Sequence, residues 1–271
     1  MRLVTFVQPG SVAQAGILDG NLIRPLGVDM ISVIARGQTP QSSARPVEAA
    51  STQILAPVPR PPKFICVGLN YRDHAAEARI AIHPVPVIFS KFSSVVVGPG
   101  ADVVLPRVSS KPDYEAEFAF VIGPGGRHIS AAKAMDHVFG YTIVNDVSAR
   151  DYQAASTQLL LSKSFDTFGP MGPYLTTRDE IADPHQLDIS LEIGGEVLQK
   201  SNTRELVFKI PELIEYISTV VTLEPGDVVA TGTPAGVGFG RKPPRWLRPG
   251  DEMIVRIQGL GELRNRCVSE P

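Results

Sequence analysis

Two glutamates stand one residue apart in Asp113-Tyr114-Glu115-Ala116-Glu117, just ahead of the apolar run Phe118 to Ile122. That run is aromatic and β-branched, as a buried strand is. Residues i and i+2 of a strand share a face, so Glu115 and Glu117 project together. Two carboxylates held side by side repel, and are costly to bury without a cation between them. A Glu-x-Glu pair by itself is commonly a solvated face. What points to a metal is the next strand-like segment, Gly140 to Asn145, which ends in Asp146. A third carboxylate at a strand end completes an all-oxygen set. Such a set suits Mg²⁺, Mn²⁺ or Ca²⁺ and argues against zinc. Mg²⁺ is expected first, because a small acidic set leaves positions for water and substrate.

A second constellation follows the apolar strand Phe64 to Leu69. In Asn70-Tyr71-Arg72-Asp73-His74-Ala75-Ala76-Glu77, either Asn70 or Asp73 is expected to cap a helix over residues 70–78. His74 and Glu77 then lie three apart on one face. A carboxylate beside an imidazole fixes its tautomer and raises its basicity, which makes a general base for water. His83, His128, His137 and His185 lack such a partner and read as structural. Lys163 sits among apolar and small residues in Leu161 to Pro170. Its ammonium, with Arg150, can offset the negative charge of the acidic set. The Gly-rich loop Thr231 to Gly238 lacks the Gly-Lys-Ser/Thr of a P-loop. Its N–H groups and threonine hydroxyls suit a carboxylate instead.

The elements that must position these residues are mostly short strands separated by Gly and Pro. Val85 to Phe89, Leu187 to Ile193, Val228 to Ala230 and Met253 to Ile257 join those already named. Gly194-Gly195 turns Leu187 to Ile193 into a hairpin with Glu196 to Gln199. Helices are expected at Ala131 to Met135, Ala149 to Gln158 and Pro211 to Val221, the last with Pro and Glu212 in its first turn. Pro-Gly-Asp at 225–227 and 249–251 is repeated turn chemistry. The mixture is α+β and β-rich, without a regular βαβ alternation. Residues 1–60 form a small β-rich leader, with a hairpin at Asp19-Gly20-Asn21, and a Pro-rich linker from Gly37 to Pro62. The main domain is expected to occupy residues 61–271.

At 271 residues and net charge −2, the chain has no global pull toward nucleic acid or anionic membrane. Its basic cluster, Arg241 to Arg248, is short and Pro-rich, and reads as a solvated loop. No stretch is long and apolar enough to span a membrane. The two cysteines, Cys66 and Cys267, suggest buried thiols with neither disulfide framework nor zinc spacing. A reducing cytoplasm is the expected compartment.

Five separated segments now carry a resemblance: Phe64 to Tyr71, Asp113 to Glu117, Asn145 to Asp151, Lys163 to Asp166, and Thr231 to Gly238. In order and spacing they resemble the fumarylacetoacetate hydrolase family, in its bacterial branch of acylpyruvate and 2,4-diketo acid hydrolases. The match runs from about residue 60 to the C-terminus. The resemblance implies a β-roll with short peripheral helices, a homodimer, and a metal on Glu115, Glu117 and Asp146. It implies His74 with Glu77 as the water-activating dyad, and Lys163 and Gln153 as catalytic groups near the substrate. It further implies substrate contacts from Arg72, Lys91, Arg150 and Thr233. The expected reaction is hydrolysis of an acylpyruvate to pyruvate and a carboxylic acid. Two other readings remain: an oxaloacetate-type decarboxylase or tautomerase, and a non-catalytic protein that binds a metal or small acid.

Overall fold

Strand Ala116–Ile122 is buried along its whole length, on both faces, and the rest of the fold is arranged around it. The computed structural model describes residues 1–37 and 40–271. The strand belongs to a twelve-stranded, mostly antiparallel sheet. The sheet's path runs from Val47–Glu48 through Leu22–Pro25, Gln14–Asp19 and Arg2–Val7 to Gly169–Thr177. It continues through Val138–Asn145, Ala116–Ile122, Val228–Ala230 and Phe64–Gly68 to Val87–Lys91. Val228–Ala230 and Phe64–Gly68 pair in parallel. Phe118, Phe120 and Ile122 face a five-stranded sheet that contributes Ile189, Leu191, Val255 and Leu263, with Leu213 and Ile217 from helix Ile210–Val220. Ala119 and Val121 face the other way, toward Cys66, Leu175 and helix Met30–Arg36. Two-sided burial explains why this segment shows no clean alternation. Glu117 continues the Ala119–Val121 face by strand parity.

The expected β-rich, α+β architecture is the one found. The hairpins at Asp19-Gly20-Asn21 and Gly194-Gly195 form, and both Pro-Gly-Asp segments are turns. Helix Ile210–Val220 begins one residue before the expected Pro211, and Glu212 Oε2 accepts the Lys209 N–H at 2.7 Å. The helix expected at Ala149 to Gln158 is shorter, Arg150–Ala154. The leader pairs directly into the main sheet, Arg2 opposite Thr176 and Leu3 opposite Leu175. It also contains a helix, Met30–Arg36, that was not expected. Asp29 caps it by accepting the Ser32 N–H at 2.9 Å, and Gly37 ends it at φ 62°. The expected linker holds the short strands Val47–Glu48 and Gln53–Leu55, while Gln38 and Thr39 lie outside the described residues.

Asn70 does not cap the helix that carries the dyad. That helix, Arg72–Ala78, starts from Tyr71 without a side-chain cap. Asp73, in its first turn, accepts the His74 N–H at 2.7 Å. Asn70 is instead a fully buried staple between three segments. Its Oδ1 accepts from Phe208 N at 2.8 Å, and its Nδ2 donates to Phe208 O at 3.0 Å and Thr231 O at 2.9 Å. The dyad helix is thereby tied to the Gly-rich loop. Asn70→Ala would leave several buried backbone groups unpaired. Each costs about 1–3 kcal/mol, so urea unfolding should show a loss of about 2–4 kcal/mol. A loss near zero would mean that solvent replaces these bonds.

Candidate metal centre and active-site cavity

The acids gather where two strands part. Ala116 pairs with Asn145 at the end of the ladder. Just beyond it, Glu115 N donates to Asn145 Oδ1 at 3.0 Å, and Asp146 N donates to Glu115 O at 2.8 Å. These two bonds hold the strand ends together and turn their carboxylates toward one another. Glu115, Glu117 and Asp146 are all buried, and one ligand oxygen from each lies within 4.8 Å of the others.

The chain partly neutralises this charge itself. Lys163 Nζ donates to Glu115 Oε2 at 2.6 Å and Asp146 Oδ2 at 2.7 Å. Lys91 Nζ donates to Asp146 Oδ1 at 2.5 Å and Val147 O at 3.1 Å. Arg150 joins Asp113 Oδ2 at 2.8 Å and Glu115 Oε1 at 2.5 Å. Burial alone would raise the Glu115 pKa, but Lys163 and Arg150 outweigh it and hold the carboxyl well below its usual range. Burial likewise works against the Lys163 ammonium, and the charges of Asp146 and Glu115 reverse the balance and keep it charged. Glu117 is different. It accepts the Gly232 N–H at 2.9 Å and has no ion-pair partner among the described residues. Burial, then the charges of Asp146 and Glu115, push its pKa far upward.

That imbalance tests the metal assignment. Four buried carboxylates, Asp113, Glu115, Glu117 and Asp146, face two buried cations, Lys91 and Lys163, and the partly buried Arg150. With all four ionised, one negative charge would be left over, at Glu117, and that surplus is why its carboxyl is the one driven toward the neutral form. A divalent cation among Glu115, Glu117 and Asp146 would turn the surplus into one positive charge, which an anionic substrate can match. The donors are all carboxylate oxygens, so the residues fit a hard cation.

Gly232 makes the Glu117 contact possible. Its φ of +100° is open to glycine, and a Cβ there would lie 2.9 Å from Val67 O and 3.0 Å from Asn70 Cβ. The Gly-rich loop thus packs its backbone against both the Asn70 staple and the acid.

A cavity of about 480 Å³ opens over the acids. Glu115, Glu117, His74, Lys163, Arg150, Gln153 and Thr233 line it, with an apolar wall that includes Leu69, Val87, Phe89, Leu159 and Phe239. His74 Nδ1 is 3.2 Å from Glu77 Oε2, and Glu77 Oε1 accepts the Gly236 N–H at 3.0 Å. Burial, which raises the Glu77 pKa, is outweighed by these two hydrogen bonds, so the carboxyl lies below its ordinary value. No hydrogen bond to His74 Nε2 occurs among the described residues. That nitrogen is available to a ligand.

Other expected positions are placed as follows. Arg150 Nη1 donates to Gln153 Oε1 at 2.8 Å, which orients that amide on the cavity wall. Lys91 is buried against Asp146 and is not a lining residue; its partner is the acid, not the space. Arg72 does not reach the cavity either. Its guanidinium donates to Leu206 O at 2.9 Å, which ties the dyad helix to the loop before Ile210. His83, read as structural, lines the cavity from an exposed segment. Arg241 and Arg245 of the basic cluster are paired internally with Glu196 and Asp251. A second hollow, about 540 Å³, lies between Arg2, Tyr174, Lys200 and Arg256 and holds none of the motif residues. Sequence reasoning missed Asp113, Asn70 and Gln199 as organisers. Asp113 was visible as an acid two residues before Glu115, but its role depends on Arg150 arriving from elsewhere in the chain.

The family model described as "Fumarylacetoacetate (FAA) hydrolase C-terminal" matches residues 63–268. The chain belongs to the fumarylacetoacetate hydrolase family. It is 47% identical over 287 residues to a mitochondrial oxaloacetate tautomerase of Rattus norvegicus, covering 99% of this chain and 92% of the relative. A fumarylacetoacetate hydrolase structure from Exiguobacterium antarcticum superposes with a TM-score of 0.89 at 35% identity, covering both chains completely. The 2-hydroxyhepta-2,4-diene-1,7-dioate isomerase structure from Mycobacterium marinum gives 0.84 at 35% identity, covering 100% of this chain and 99% of that one. Among the described residues no helix is long and apolar enough to cross a membrane.

Glu117→Gln removes the uncompensated charge without unpairing Lys163 or Arg150, as Glu115→Ala would. Calorimetric titration with Mn²⁺ or Mg²⁺ should show affinity reduced at least tenfold, about 1.4 kcal/mol. Thermal unfolding of the metal-free protein should be unchanged or slightly improved, because a neutral amide can keep the Gly232 bond with no buried group to ionise. Unchanged ion affinity would remove Glu117 from the ligand set.

Proposed function

We propose that the chain catalyses keto–enol tautomerisation of an oxaloacetate-type 2-keto acid, aided by a divalent cation on Glu115, Glu117 and Asp146. The observation that carries this reading is the 47% identity, over 99% of the chain, to a relative named as an oxaloacetate tautomerase. The cavity chemistry is compatible with it. A bound divalent ion would supply a Lewis acid for the 2-keto oxygen and the adjoining carboxylate. Everything else is proton handling and charge placement by the protein.

Glu77 accepts the Nδ1 proton of His74 and leaves Nε2 as the basic nitrogen facing the cavity. His74 takes a proton from the carbon next to the ketone and returns it to the resulting enolate oxygen, giving the enol, or runs the reverse. Lys163, kept charged by Asp146 and Glu115, stabilises the negative charge that develops on oxygen. The amide of Gln153 and the hydroxyl of Thr233 orient the acid. Arg150 acts through Gln153 and Glu115.

C–C bond hydrolysis, placed first from the sequence, becomes the second reading. The His74–Glu77 dyad favours it, since the same Nε2 can deprotonate water for attack on the distal carbonyl of a 2,4-diketo acid. The recipient of the base distinguishes the two reactions: substrate carbon in one, water in the other. We further propose a homodimer, on the family resemblance. A reducing compartment is proposed from the free, buried thiols of Cys66 and Cys267; the rat relative is named as mitochondrial.

The test follows the enol absorbance of freshly dissolved oxaloacetate with enzyme and Mg²⁺ or Mn²⁺, alongside a pyruvate assay. Accelerated enol–keto exchange without matching pyruvate is expected. Pyruvate plus a second acid from an acylpyruvate panel, with no effect on oxaloacetate enol, would put hydrolysis first. His74→Ala should lower the rate by about 10²–10⁴ while ion binding persists. A loss below about tenfold would remove His74 as the base.

A further inference from the structure

Gln199 is an amide with no freedom of direction. It lies 1% exposed on strand Glu196–Asn202, outside the cavity lining. Its Oε1 accepts the Ala116 N–H at 2.9 Å, at the start of the strand that carries Glu117. Its Nε2 donates to Pro234 O at 2.9 Å and to Thr233 Oγ1 at 2.8 Å. The backbone fixes the sense of this amide. Ala116 offers a donor and Pro234 an acceptor, so exchanging oxygen and nitrogen would set donor against donor and acceptor against acceptor. Thr233 must therefore receive a hydrogen bond from Gln199. A hydroxyl has one proton to give. The Thr233 proton meets no acceptor among the described residues, and Thr233 stands on the cavity wall.

We propose that Gln199 is a positioning residue which, by donating to Thr233 Oγ1, leaves the Thr233 proton to be given into the cavity. This wall then favours an oxygen acceptor, a carboxylate or keto oxygen, at that point of the cavity. The inference rests on the reading that this cavity takes a 2-keto acid, and it adds the means by which one contact is given its polarity.

Oxalate is the probe. It offers acceptor oxygens and has no carbon to enolise or acyl group to cleave, so its binding is read without turnover. The full chain is titrated calorimetrically in saturating Mg²⁺. Thr233→Val should weaken oxalate about tenfold, the scale of one hydrogen bond to a charged acceptor. Gln199→Glu keeps an acceptor for Ala116 but gives Thr233 a carboxylate to point at, which turns its proton away from the cavity. It should also cost about tenfold, and cost nothing further once Thr233→Val is present. An equal loss in both backgrounds would mean that the new charge repels oxalate or disturbs the site, and would overturn the proposal. Gln199→Met, neutral and of similar length, serves if Gln199→Glu does not fold. Its expected loss is about threefold, again confined to the chain that retains Thr233. A wild-type chain that binds oxalate but turns over no 2-keto acid would defeat the proposed reaction, while the binding comparison still decides the role of Gln199. A wild-type chain that does not bind oxalate would defeat both.

Discussion

The rest of the site depends on a charge imbalance among buried side chains. Buried like charges cost several kcal/mol unless they are paired, and here the pairing is almost complete. Lys163 bridges Glu115 and Asp146, Lys91 covers the remaining oxygen of Asp146, and Arg150 spans Asp113 and Glu115. Glu117 alone is left with a backbone N–H. The protein has thus arranged its own cations so that one further double charge fits, and the total then favours an anion. On the proposed function, substrate class and metal use would be two outcomes of one electrostatic constraint.

The same network limits what each cation can do. Lys163 reaches the cavity while bonded to two acids, so its position is fixed before any ligand arrives. Arg150 touches Asp113, Glu115 and Gln153, and serves as a joint between the acidic set and the polar wall. A side chain with this many partners gives little induced movement. Such preorganisation suits a reaction in which a proton moves a short distance and no large group must enter or leave.

The acidic set was legible because its signals are local. Strand parity places Glu115 beside Glu117, and Asp146 follows an apolar run. The His74–Glu77 spacing was legible for the same reason. What escaped depends on distant chain segments. Asn70 looked like a helix cap and is a staple to Phe208 and Thr231. Lys91 looked like a substrate contact and is a buried partner of Asp146. Gln199 carried no motif, and its meaning appears only when its sheet meets Ala116. Strand Gly169–Thr177, central to the large sheet, was hidden by its own composition. Gly-Pro-Met-Gly-Pro reads as a turn, yet the segment pairs on both sides.

The two halves of the site lie at very different distances along the chain. The strand ends that hold the carboxylates meet across a separation of 30 residues, in the contact of Glu115 with Asn145. The dyad helix is held to its loop across 161 residues, through Asn70 and Thr231. Closing the longer loop costs about 1.5 kcal/mol more in chain entropy, and contacts of high sequence separation tend to form late. The expected order of folding is therefore acids first and imidazole last. A chain caught between the two stages would hold the carboxylates together without the imidazole beside them. Pulse-labelled amide exchange during refolding reads that order directly: protection of Ala116–Ile122 and Val138–Asn145 should precede protection of Arg72–Ala78, and simultaneous protection would show that the two halves close together.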